Sequence, residues 1–219
     1  MKGFGTLMLL LLVLATPAQA ACDNPFFPAK AGSSKTFTIQ GEAKTYTIRV
    51  TNATANGFTL RYEYTDPVRV LESPYTCTPQ GLTSPSLFSS GFGPDANITA
   101  QVKASSGIVI PAEGRWRVGE TWTYANEGTV TANDKTQGQL VYTFKNEFTF
   151  QIVAREQVKV PAGTFQAFKV VLTGKGEFGA KGVSRHPMTY TLTQWYARGV
   201  GLVRQEFQNA VHELTGYQP

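Results

Sequence analysis

The chain is short of the residues on which most chemistry depends. Of its 219 residues, 2 are histidine and 2 are cysteine. No cysteine or carboxylate stands at metal-ligand spacing from His186. His212 is followed directly by Glu213, and neighbours on a strand point to opposite faces. The pattern argues against a zinc site. No Gly-x-Ser-x-Gly elbow is present to expose a serine nucleophile, and Ser105-Ser106-Gly107 reads as a turn. Glu63, Glu147 and Glu156 alternate with Thr, Lys and Arg, so they read as solvated cross-strand partners rather than a glycosidase pair. The expectation is a protein without catalytic activity, metal or cofactor.

Clustered charge is also scarce. Charged residues make up 16% of the chain, 20 basic against 15 acidic. The bases are scattered, with only Arg115 and Arg117 as close neighbours, which excludes the basic face of a nucleic-acid binder. Long apolar runs are limited to one, Leu7 to Ala15, too short to span a bilayer. Lys2 precedes it and Ala18-Gln19-Ala20 follows, small residues at the −3 and −1 positions of a cleavage site. Residues 1–20 therefore read as a secretory signal, and 21–219 as one β domain in the periplasm, on the cell surface or outside the cell.

Export places Cys22 and Cys77 where disulfides persist. A bond between them is worth about 4 kcal/mol in the chain-entropy model. The rival reading lipidates Cys22 behind Ala20-Ala21. It lacks the aliphatic residue a lipobox wants, having Gln19 there, and it leaves Cys77 unpaired.

What the chain has in quantity is alternation. Aromatic residues are 12% of it, and Thr, Val, Phe and Tyr far outweigh helix formers. Lys35 to Gln40 alternates with period two, and Gly41-Glu42 turns the chain. Tyr46, Ile48 and Val50 then share a face. Asn56-Gly57 is a hairpin signal, after which Phe58, Leu60, Tyr62 and Tyr64 face one way. The prolines at 74, 79, 85 and 94 read residues 72–98 as a long loop, with Phe88 and Phe92 folding back as a lid. Strands resume from Gln101. Leu140, Tyr142, Phe144, Phe148, Phe150 and Ile152 share a face broken only by Asn146. Thirteen residues of strand span about 43 Å, so a bend or interruption is expected near Asn146-Glu147.

Two glycine-bearing stretches read as corners rather than binding loops. In Val160-Pro-Ala-Gly-Thr-Phe165, Pro161 presets φ and Gly163 closes a hairpin between Gln157–Val160 and Thr164–Thr173. No helix follows to present its N-terminus to a phosphate. In Trp195-Tyr-Ala-Arg-Gly-Val-Gly-Leu202, Gly199 and Gly201 turn the chain between two strands. Arg198 at that tip is the candidate for a surface contact. A last short strand runs from Ala210 to Leu214. The sum is an all-β, antiparallel barrel, half-barrel or sandwich of roughly ten to thirteen strands. A weak echo between 26–71 and 115–208 is compatible with a duplication.

The motifs at Trp116 to Tyr124, at Val160 to Phe165, and at Trp195 to Val203 resemble a group of exported bacterial proteins of unknown function, of DUF3108 and TapB type. The similarity spans about 115–208 well and 26–64 more loosely. It implies a β-barrel or half-barrel like the lipoprotein-carrier folds of the bacterial envelope, and it carries no catalytic residues. In a bacterial protein the glycosylation patterns Asn52-Ala-Thr54 and Asn97-Ile-Thr99 are silent.

A curved sheet with such an aromatic face either packs solid or encloses a pocket. The expected lining is Tyr62, Tyr64, Tyr142, Phe144, Asn146, Phe148 and Phe150. The expected occupant is a lipid, acyl chain or hydrophobic peptide. The other reading is a filled core in an assembly protein that engages an envelope partner.

Overall fold

A computed structural model describes residues 22–65, 68–85, 98–134, 138–180, 183 and 186–219. The expected signal at 1–20, and Phe88 and Phe92 of the expected lid, lie outside these residues. Thirteen strands are described: β1 (Ser34–Ile39), β2 (Thr45–Thr51), β3 (Gly57–Thr65), β4 (Val68–Thr78), β5 (Gly81–Thr83), β6 (Ile98–Gly107), β7 (Ile110–Pro111), β8 (Thr121–Asp134), β9 (Gly138–Val160), β10 (Gly163–Ala180), β11 (His186–Ala197), β12 (Gly201–Phe207) and β13 (Ala210–Gln218). One 3-10 turn, Glu113–Arg115, interrupts them. Among the described residues no helix is long and apolar enough to cross a membrane.

The strands form one antiparallel sheet in the order β6-β8-β9-β10-β11-β12-β13-β1-β2-β3-β4-β5-β7. Hairpins make most neighbours, and the pairing of β13 with β1 joins the two ends of the chain. The sheet does not close, since β6 and β7 stand at opposite edges. The edges nevertheless meet at one corner, because β6 runs into β7 through two residues. Ile108 N donates to Thr123 O of β8 (3.1 Å), and Val109 N donates to Leu82 O of β5 (2.8 Å). Tyr124 OH adds a bond to Ser84 O at 2.6 Å. Only a strongly curled sheet brings these partners together. Its architecture is the half-barrel among the expected forms.

Alternation fills the concave side. Phe144, Asn146, Phe148, Phe150 and Ile152 of β9 are buried, while the residues between them are exposed. In the main core Phe148, Phe150 and Ile152 join Val50, Phe58 and Leu60 from β2 and β3, and Val170 and Leu172 from β10. A second cluster forms where the β9–β10 hairpin tip meets β13 and β1. It holds Phe37, Tyr46, Val158, Val160, Trp195 and Leu214, and Ala162 N donates to Leu214 O at 3.0 Å.

The corner readings hold. Gly163, at φ 141°, pairs with Val160 across Pro161-Ala162, and Gly201, at φ 87°, pairs with Ala197. Three expectations need correction. Residues 72–78 are strand, not loop, and β5 follows at once. Pro74 is tolerated because β5 pairs with β4 only over Thr76–Thr78, so β4 is an edge where the missing N–H would point. Ser105–Gly107 is not a turn but the end of β6, paired with Asn126 to Tyr124 of β8. The long strand is not broken at Asn146, which stays in register with Asn126 and Gly176. The irregularity falls at Val153 instead, where Ala154 pairs with Lys169 but Ile152 pairs with Val170. One extra residue there bends β9 and re-aims the side chains beyond it.

The segment before β1 is a strap held to three parts of the sheet. Cys22 is bonded to Cys77 of β4 with a Cα–Cα separation of 5.1 Å, within the ordinary range for a disulfide. The bond engages the thiol that lipidation would need. Asn24 Nδ2 donates to Pro111 O at 2.8 Å, and Gly199 N donates to Pro25 O at 2.7 Å. Phe26 stacks on Trp116 with centroids 4.5 Å apart. Phe27 packs on Tyr75 at 5.5 Å.

Candidate functional site

The strap, the inner face of β1–β4 and parts of β9, β11, β12 and β13 line a cavity of about 260 Å³ that opens partly to solvent. That is just below the range of small-molecule sites, roughly 300–1,000 Å³. Cross-strand register builds its aromatic wall. Tyr46 and Tyr64 sit side by side on β2 and β3, and Phe37 of β1, buried behind the lining, flanks Tyr46. Their rings stack at 5.3 Å and 5.2 Å. Ile48 and Tyr62 form the next row. Phe27, Tyr75, Phe150, Tyr196 and Leu202 complete the apolar lining.

Polar groups in this wall are few and placed. Tyr46 OH and His212 Nδ1 share a hydrogen bond of 3.0 Å. Burial holds the His212 imidazole below its ordinary pKa, so it is neutral near pH 7. Tyr196 OH donates to Gln194 Oε1 at 3.0 Å, and Gln194 Nε2 donates to Gln205 Oε1 at 2.8 Å. Burial pushes the phenols up: Tyr75 to about 12, and Tyr46, Tyr62 and Tyr196 well above the ordinary value. All four are neutral hydroxyls at physiological pH. Lys35 is the one residue of the lining that is cationic near neutrality, and no aspartate or glutamate lines the space.

Of the seven expected lining residues, the fold brings Tyr62, Tyr64 and Phe150 to this cavity. The other four are elsewhere. Tyr142 stacks on Phe178 at 5.0 Å, Phe144 is buried, and Phe148 packs on Tyr124 and Tyr190. Asn146 belongs to a closed polar network. Its Nδ2 donates to Asn126 Oδ1 at 3.1 Å, and its Oδ1 accepts from Tyr190 OH at 2.6 Å. Gly174 and Gly176 make that network fit, since a Cβ on either would collide with Tyr190. The reason for the split is the length of β9: its aromatic face runs well past the cavity into solid core. Arg198 is exposed, but its guanidinium pairs with Glu113 Oε1 at 2.7 Å and lies 5.7 Å from the Phe26 ring centre. It ties the strap to the 3-10 turn.

Lys35, Tyr46 and His212 were not singled out from the sequence as lining residues. The signal was there. Lys35 shares strand parity with Phe37 and Ile39, as His212 does with Leu214, and each is a polar residue on an apolar face.

Comparison with known proteins agrees with this architecture. Residues 149–219 match the DUF3108-like family. A Bacteroides fragilis protein described as exported, with a YmcC-like fold, superposes with a TM-score of 0.56 at 16% identity, over 90% of this chain and 100% of its own. A Parabacteroides distasonis protein described as a lipoprotein superposes with a TM-score of 0.52 at 18% identity, over 89% of this chain and 99% of its own. Among curated proteins none matches in sequence. The fold is thus shared nearly end to end by two solved structures, while the family match runs from the middle of β9 through β13.

Proposed function

We propose that the chain is an exported, non-catalytic protein of the cell envelope that binds one small hydrophobic molecule inside its half-barrel. The observation that carries this reading is the cavity of about 260 Å³ walled by Tyr46, Ile48, Tyr62, Tyr64, Tyr75 and Tyr196. Core side chains normally close such space, because each unfilled contact forfeits dispersion energy. Tyrosine suits a wall of this kind. It offers a flat apolar surface, and its hydroxyl can find a partner where the wall turns polar. The signal-like start of the sequence and the descriptions of the two structural relatives support export.

The test is titration of an uncharged fluorescent probe, N-phenyl-1-naphthylamine, into the oxidised protein. Saturable binding at one site is expected, with competition by apolar molecules. Ile48→Trp places an indole where the wall faces the cavity and should abolish the signal while the protein stays folded. Binding that survives Ile48→Trp, or no saturable binding at all, contradicts the proposal and favours a filled core that meets an envelope partner through its surface.

A further inference from the structure

Resting on that reading, we infer that the ligand is a monoanionic amphiphile, a carboxylic acid with an apolar body, and that Lys35 is the residue that holds its carboxylate. Strand alternation points Lys35 into the cavity. It follows Ser34 and precedes Phe37 by two on β1, and it stands opposite Ile48 of β2, itself a wall residue. Its Nζ lies beside Gly201, where a Cβ would stand 3.5 Å from it and 3.2 Å from Pro28 Cδ. A bare glycine there keeps the amine and the strap from being pushed apart.

No carboxylate answers this ammonium. Its ion pairs are absent among the described residues, and no aspartate or glutamate lines the cavity. Burial alone lowers its pKa, to about 8, with no neighbouring charge opposing the shift. The amine is still mostly protonated at pH 7. A charge held in a low-dielectric wall without a partner costs stability. Such groups collect at functional sites because the partner arrives with the ligand. Around it, the tyrosine hydroxyls, the Gln205 amide and neutral His212 can each donate a hydrogen bond, and none of them carries a charge. One cation balances one negative charge. A phosphate, with about −1.5 to −2 at pH 7, would leave charge unpaired in the same wall. The apolar rows on β2 and β3 then receive the body of the acid.

The experiment is isothermal titration of the full oxidised protein at pH 7 with two probes of equal length, octanoate and octan-1-ol. Wild type should bind octanoate about tenfold more tightly or better, the ordinary return of a charge-assisted hydrogen bond. Lys35→Met should lose that preference and keep its affinity for octan-1-ol, and Lys35→Arg should restore the preference. Circular dichroism confirms that each variant is folded, and the wild-type comparison of the two probes decides the matter if Lys35→Met is not. Equal affinities for the two probes in wild type, or an octanoate affinity unchanged in Lys35→Met, would overturn the role of Lys35 while leaving the cavity reading intact. A lysine that only covers apolar surface with its stem gives that result. If neither probe binds, the cavity reading fails and takes this inference with it.

Discussion

The two flanks of the half-barrel use the same residue types to opposite ends. On the flank made by β8–β11, polar side chains answer one another: Asn126, Asn146 and Tyr190 form a closed set, and Gly174 and Gly176 vacate the volume that Tyr190 fills. On the flank made by β1–β3, β12 and β13, rings stack along the sheet, as Trp122 and Phe150 do on the other flank, but among the described residues no such polar set closes the interior. Space is left over, and Lys35 faces it without a partner. An aromatic stripe therefore specifies which face is inside. Whether that inside is solid depends on what the opposite strands bring, down to the placement of two glycines.

The largest test of this contrast is truncation. Phe148→Ala, in the solid flank, should cost about 3–5 kcal/mol in denaturant unfolding, because a close-packed site cannot collapse around the hole. Ile48→Ala, in the cavity wall, should cost less than about 2 kcal/mol, since its side chain already lacks neighbours on one side. Equal costs would erase the distinction between the flanks.

A polar test sharpens it. Asn146→Leu removes both the acceptor for Tyr190 OH and the donor to Asn126 Oδ1. It should cost about 1–3 kcal/mol, the penalty for stranding buried polar groups. A Tm unchanged from wild type would mean that water satisfies the network.

The smallest effect is in pH. The Lys35 ammonium has its pKa lowered by burial to about 8, against 10.5 when exposed. Between those values the unfolded chain carries a proton that the folded chain does not, so stability rises with pH across that window. The tyrosines act in the other direction. Burial raises the phenols of Tyr46, Tyr62, Tyr75 and Tyr196, so the unfolded chain ionises first and stability falls above about pH 10. His212, the other titratable group in the lining, stays neutral throughout this range. The ligand-free protein should be most stable near pH 10, where the Lys35 rise is nearly complete and the fall from the tyrosines begins. Lys35→Met should flatten the rise and leave the fall. A rise that persists in Lys35→Met would assign it to another group.

Much of the fold was legible because period-two alternation is a local signal. The faces of β2, β3 and β9 and the corners at Pro161-Ala162 and Gly199 follow from neighbours in sequence, and the Cys22–Cys77 bond from export and a count of two cysteines. Pro74 misled because its cost depends on whether a partner strand lies on its N–H side, which is a tertiary fact. Asn146 read as an anomaly because its partners, Asn126 and Tyr190, are distant in sequence. The cavity was half legible: Tyr62, Tyr64 and Phe150 are on the right face, but only the curl of the sheet decides which aromatics stop at the void. The strap shows the same limit. Nothing local in Asp23 to Pro28 says that Phe26 and Phe27 cross the mouth of the core.

The most direct test of the central claim is native mass spectrometry, without reductant, on the protein purified from the envelope of its own host. The account predicts a disulfide-bonded chain, two hydrogens lighter than the reduced form, carrying one small apolar adduct that leaves on collisional activation. The bare oxidised mass under gentle conditions would contradict it and assign the half-barrel to scaffolding.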